Sequence, residues 1–104
     1  MENISRNYTV DGVQLTYQMP KEVDHHIAKE MCQEIDRLIE AYGITELILD
    51  FAGTEFMDSS GIGVVIGRSK SMRFRNGNIA ATGIGTRVDK ILRSAGIYQL
   101  LQVK

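Results

Sequence analysis

The chain has 104 residues, 43% of them hydrophobic and 24% charged, and a formal net charge of −1. A length of this order makes one domain, residues 1–104, able to bury about 65% of the unfolded chain's surface, which is enough for a single core. No apolar run approaches the ~18 residues of a membrane-spanning helix. The start, MENISRNYTVDG, has no apolar run behind a basic end, so no secretory signal is expected, and Cys32, a single cysteine, forms no internal disulfide. These features point to the cytoplasm.

The charge is unevenly spread along the chain. Residues 1–58 carry twelve acids and four bases, and residues 59–104 carry one acid and eight bases. Folding either mixes the two halves in space or leaves a bipolar surface that orients a charged partner. Nucleic acid is not the expected partner, because Arg68, Lys70, Arg73 and Arg75 have few aromatic neighbours and the whole chain is slightly acidic.

In chain order, NYTVDGVQLTYQM contains two strand-like runs around Asp11-Gly12, a hairpin signal, and Pro20 ends the second run. Asp24 is a candidate N-cap for the next segment. There Ala28, Met31, Cys32, Ile35, Leu38, Ile39 and Tyr42 recur at helical spacing until Gly43. Glu46 to Phe51 is a short apolar run that suits a strand buried on both faces. After AGTEFM, the residues Asp58, Ser59 and Ser60 suit a helix start, and that helix runs to about Phe74. IAATG makes a short strand. Thr86 and Asp89 resemble a capping box, with Val88, Ile91, Leu92 and Ala95 as the buried stripe up to Gly96. YQLLQV is a last strand. Strands alternating with helices predict a largely parallel sheet with an antiparallel hairpin at one side.

Few constellations here carry catalytic chemistry. His25 and His26 are neighbours on a helix and point apart, so they make a poor metal pair, and no second cysteine or H-x-x-x-H supports zinc. Cys32 lies on an apolar stripe and is expected as a buried, inert thiol. Ser59 lacks a nearby base and the G-x-S-x-G setting of a hydrolase, and the glycines match no phosphate-cradling motif. FMDSSGIGVVIGR stands out instead. Gly61, Gly63 and Gly67 sit in a helix where each costs about 1 kcal/mol against alanine. Three capping-type residues in a row precede them, where one suffices. Such a helix start is open to close approach by a partner, with a sterically free hydroxyl. Gly61 and Gly63 are expected to serve that approach and Gly67 to serve close packing.

EVDHH (Glu22 to His26), FMDSSGIGVVIGR (Phe56 to Arg68) and RVDKILRSAGIYQLL (Arg87 to Leu101), with the strand–helix order between them, resemble the bacterial anti-sigma factor antagonists of the STAS domain superfamily, the sporulation type above all. The resemblance implies an α/β fold: a STAS-like single domain with a mixed, mostly parallel sheet of four to five strands and three main helices. It also implies a protein that is not an enzyme and needs no cofactor or metal. The unmodified form binds an anti-sigma factor that is also a serine kinase, and a sigma factor is freed. Phosphorylation of the serine after the motif's aspartate, here Ser59, releases the partner, and a serine phosphatase resets the switch. Asp24, Asp58, Ser60, Gly61, Ile62 and Gly63 would form the partner surface, with no direct role for nucleic acid or membrane. The alternatives are a STAS module that binds a partner or nucleotide without a serine switch, and a small hydrolase using Ser59. The sequence departs from the family pattern at Met19 to Glu22, at Gly85-Thr86 before the third helix, and at Lys104, beyond which many members carry another helix. An apolar sheet face left bare there would favour pairing of two copies.

Overall fold

The computed structural model describes residues 7–104; the stretch Met1–Arg6, read above for a secretory signal, lies outside the described residues. The chain starts with a hairpin, β1 (Tyr8–Asp11) and β2 (Gln14–Gln18), antiparallel with Asp11 opposite Gln14. Gly12 takes a positive φ of 61° at the first position of the two-residue turn, a conformation glycine adopts without a Cβ penalty. A short β3 (Glu22–Val23) leads into α1 (His25–Tyr42), followed by β4 (Glu46–Asp50), β5 (Phe56–Met57) and α2 (Ser59–Phe74). The chain closes with β6 (Asn78–Thr82), α3 (Thr86–Ser94), a single 3-10 turn (Ile97–Gln99) and β7 (Gln102–Val103).

The main sheet has five strands in the order β1-β2-β4-β6-β7, and a second sheet consists of β3 and β5. From β2 onward the main strands are parallel and in register: Leu15, Leu47 and Ile79 form one row, and Tyr17, Leu49 and Ala81 another. Each crossover steps one strand further in the same direction, so all three helices pack on one face. That face holds the core. Leu15, Tyr17, Leu47, Leu49, Ile79 and Ala81 meet Ile35 and Ile39 of α1, Val64, Val65 and Met72 of α2, and Val88 and Leu92 of α3 in one cluster.

The opposite face is not the bare apolar surface expected from the sequence. Its rows are Thr9, Thr16, Ile48, Ala80 and Gln102, flanked by Asp11, Gln14, Glu46 and Asn78 and by Gln18, Asp50 and Thr82. Lys104 reaches from beyond β7 across β6 to Glu46 on β4, with 3.3 Å between Nζ and Oε2. The register puts Ala80 beneath that side chain, and Ala80 is buried. Among the described residues this face is therefore largely polar around Ile48 and Ala80.

The uneven charge resolves by mixing. Arg68 on α2 lies 3.2 Å from Asp36 on α1, and Arg75 lies 3.3 Å from Glu40. With Lys104–Glu46, each of these pairs joins the basic half of the chain to the acidic half.

Three element predictions need correction. Thr86 is not a cap but the first residue of α3; Gly85 holds the N-cap position, with no side-chain hydrogen bond. Asp89 instead accepts from the Tyr98 hydroxyl (2.6 Å) and from Arg93 (3.1 Å). The last strand is shorter than YQLLQV, because Tyr98 and Gln99 belong to the 3-10 turn. Tyr42 is 53% exposed, since it lies in the last turn of α1, where the stripe has run past the sheet. The αL cap at Gly43 (φ 62°), whose N–H reaches the Ile39 carbonyl, is as the sequence reads.

Candidate functional site

The small sheet organises the site. β3 and β5 pair in parallel, Glu22 with Phe56 and Val23 with Met57, and each strand ends one residue before a helix N-cap. Asp24 caps α1, its Oδ1 accepting the Ile27 N–H at 2.9 Å. Asp58 caps α2, its Oδ1 accepting the Ser60 N–H at 2.7 Å. The Asp58 N–H in turn donates to the Val23 carbonyl at 3.1 Å. Two helix starts some thirty residues apart in sequence thus stand side by side, both presenting a carboxylate and a positive dipole end at one pole of the domain. Thr54, buried in the β4–β5 connection, fixes this arrangement by donating its hydroxyl to the Pro20 carbonyl at 2.8 Å.

Ser59 is the first residue of α2 and is exposed. Among the described residues its hydroxyl makes no hydrogen bond. Its neighbour Ser60 is half-buried and its N–H is held by the cap. Past the serines, Ile62 is half-buried and Gly63 is exposed; a Cβ built on Gly63 meets nothing within 4 Å. Gly61 differs. It is buried, and a Cβ there falls 2.1 Å from Met57 Cγ and 2.6 Å from Met57 Sδ. Packing against a buried side chain accounts for this glycine, where the sequence reading assigned it to partner approach. Gly67 is corrected in the other direction: a Cβ there meets nothing within 4 Å, so no tight contact requires it.

Beside Ser59 runs an open groove of about 440 Å³ between the start of α2 and α3, lined by Met57, Asp58, Ser59, Ile62, Lys90, Ile91, Ser94 and Ala95. Its walls are mostly apolar, with the hydroxyls of Ser59 and Ser94, one carboxylate and one lysine as the polar groups. Sequence reasoning missed the contribution of α3. The apolar period there marks Ile91 as inward-facing, but nothing in the spacing tells which helix start α3 lies against.

Other sequence candidates stand apart from this groove. His25 and His26 are exposed at the first turn of α1, and His26 Nε2 lies 3.5 Å from Glu30. Among the described residues no group of three or more His, Cys, Asp or Glu side chains could hold a metal, and no hydrogen bond joins Ser59 to a histidine. Cys32 is half-buried rather than fully buried, packed against the core. Among the described residues no helix is long and apolar enough to cross a membrane. Two tyrosines are perturbed. Burial, then the hydrogen bond to Glu34, pushes the Tyr17 phenol well above its ordinary value. Burial, then the bond to Asp89, pushes Tyr98 up to about 12. Tyr98, and then Arg93, hold the Asp89 carboxyl below the usual range.

Comparison with known proteins converges on one family. The chain is 27% identical over 89 residues to the anti-sigma F factor antagonist of Paenibacillus polymyxa, covering 86% of this chain and 76% of that one. It is 27% identical over 86 residues to the anti-sigma-B factor antagonist of Listeria monocytogenes, covering 80% and 72%. The fold is similar to the structure of the anti-sigma factor antagonist SpoIIAA in its unphosphorylated form, with a TM-score of 0.81 and 25% identity over 92% of this chain and 84% of that one. The STAS domain model matches residues 6–104. With its three helices on one face of a mixed five-stranded sheet, the chain belongs to the STAS domain family.

Proposed function

We propose that this protein is an anti-sigma factor antagonist controlled by phosphorylation of Ser59. Unmodified, it docks the pole formed by Asp24, Asp58, Ser60, Ile62 and Gly63 against an anti-sigma factor that is also a serine kinase, and a sigma factor is released. The kinase transfers the γ-phosphoryl group of ATP to Ser59 Oγ: a new P–O bond forms, the bond to ADP breaks, and the hydroxyl proton passes to solvent. A serine phosphatase returns the hydroxyl. The chain acts by binding rather than by catalysis, in the cytoplasm, as a single domain without cofactor or metal.

The observation that carries this reading is the setting of Ser59. It is exposed and its hydroxyl makes no hydrogen bond within the described chain, at the start of a helix whose first turn is already capped by Asp58. Phosphate adds about −1.5 to −2 charges. A helix start tolerates an anion, so the fold survives the change, while a partner seated on the neighbouring groove meets repulsion and desolvation. The relatives' names, two antagonists of anti-sigma factors and one described in an unphosphorylated form, support the same reading.

Incubation with the cognate kinase and ATP tests it. Intact mass is expected to rise by one phosphate, and peptide mapping to find it on Ser59. Ser59→Ala is expected to remain unmodified. No gain of mass would favour a STAS interaction module without a serine switch, and phosphate on Ser60 in the Ser59→Ala protein would overturn the assignment.

A further inference from the structure

Resting on the assignment of Ser59 as the modified residue, we infer that Lys90 is the cation that pairs with the phosphate on Ser59. Its ammonium, carried on α3 across the groove, pairs with phosphoserine 59 and lays a charged link over the apolar floor of Met57, Ile62 and Ile91.

Lys90 and Ser59 line the same groove, and Lys90 is the basic residue among its lining side chains. Lys90 is exposed and makes no ion pair among the described residues. The other α3 cations are elsewhere. Arg93 is held by Asp89 at 3.1 Å and lies over the Tyr98 ring at 5.2 Å, and Arg87 does not line the groove. The groove's carboxylate, Asp58, keeps its Oδ1 on the Ser60 N–H. An added phosphate is therefore repelled by Asp58, and by Asp24 on the adjoining helix start, and drawn across the groove toward Lys90. A lysine is suited to this, as a compact charge on a flexible stem that reaches a phosphate without a fixed geometry. The pair gives phosphorylation a second effect besides repulsion: it covers the apolar seat the partner uses.

The first measurement does not depend on the kinase. Phosphoserine is installed at position 59 by genetic encoding, and its second ionisation, near pH 6 in the free state, is followed by phosphorus NMR. An adjacent cation favours the dianion, so Lys90→Gln is expected to raise the midpoint by about half a pH unit, the effect being moderated by solvent exposure. Lys90→Arg is expected to keep the wild-type midpoint. Anti-sigma factor binding by the phosphorylated Lys90→Gln protein is expected to be several-fold tighter than by phosphorylated wild type. Identical titration curves for wild type and Lys90→Gln would overturn the pairing. A kinase that leaves Ser59 unmodified would instead overturn the function proposed above.

Discussion

A methyl group at Gly61 would sit 2.1 Å from Cγ of Met57, whose side chain is itself buried in the core. Met57 is almost fully buried and must shift to admit the methyl group, so Gly61→Ala is expected to destabilise the domain by about 1–3 kcal/mol, as overpacking does. Gly63→Ala meets no atom within 4 Å. It is expected to leave the melting temperature unchanged or raise stability by up to about 1 kcal/mol, yet to lower the rate of Ser59 phosphorylation. Urea unfolding of both variants, with a kinase assay on Gly63→Ala, checks the pair. Asp24→Ala removes one cap hydrogen bond and is expected to cost about 0.5–2 kcal/mol while weakening kinase binding, which titration calorimetry reads; unchanged affinity removes Asp24 from the surface. At this scale the sequence was partly legible. The caps at Asp24 and Asp58 follow from residue type and position, because the bond they make is local. Gly61 and Gly63 look alike in sequence, and only the position of Met57, turned under the helix by β5, separates them.

Between elements, the contact of α1 with α2 holds an ion pair that a single change can break. The Arg68 side chain is only 14% exposed, and Asp36 at 3.2 Å is its acidic neighbour. Its Nε and Nη1 are buried and make no aligned hydrogen bond within the described chain, so the carboxylate acts by proximity of charge. Asp36→Asn is expected to destabilise the domain by about 1–3 kcal/mol by leaving a largely buried guanidinium uncompensated. Arg68→Met in the same background is expected to recover part of that loss. A double-mutant cycle with a coupling near zero contradicts this. α1, α3 and the longer strands of the main sheet were legible from their apolar patterns, and α2 from the capping residues at its start, whereas β7, only two residues long, was read too long. The β3–β5 pair was not legible: two residues per strand carry no period, and AGTEFM reads as a loop. The capping box at Thr86 and Asp89 misled for a related reason, since the same two residues fit a cap or a first turn. Tyr98, nine positions on, draws the Asp89 carboxylate away.

For the whole molecule, stability should depend on pH at both extremes. Tyr17 and Tyr98 ionise at higher pH in the folded chain than at their ordinary 10. Their contribution is therefore complete below about pH 10 and is lost as pH rises through the folded values. Asp89 is shifted down, so its contribution is present above about pH 4 and is lost as pH falls through its folded value. Between pH 8 and 11 the wild-type protein is expected to lose about 1 kcal/mol more than Tyr17→Phe, read by urea unfolding at each pH. Topology and charge were legible in different degrees. Alternating strands and helices give a parallel sheet, but the polarity of its open face appears only once the register aligns Thr9, Thr16 and Gln102. The two charged halves of the chain allow both mixing and polarity until the ion pairs of α1 with α2 decide for mixing. The groove of Ser59 and Lys90 likewise needed the whole fold, since it joins segments from three elements. Whether Ser59 switches a binding surface is decided by comparing the affinity of the unmodified protein and of its Ser59-phosphorylated form for the anti-sigma factor kinase by titration calorimetry. Tight binding is expected of the first and a loss of at least about 100-fold, roughly 2.7 kcal/mol, in the second. Equal affinities would contradict the switch.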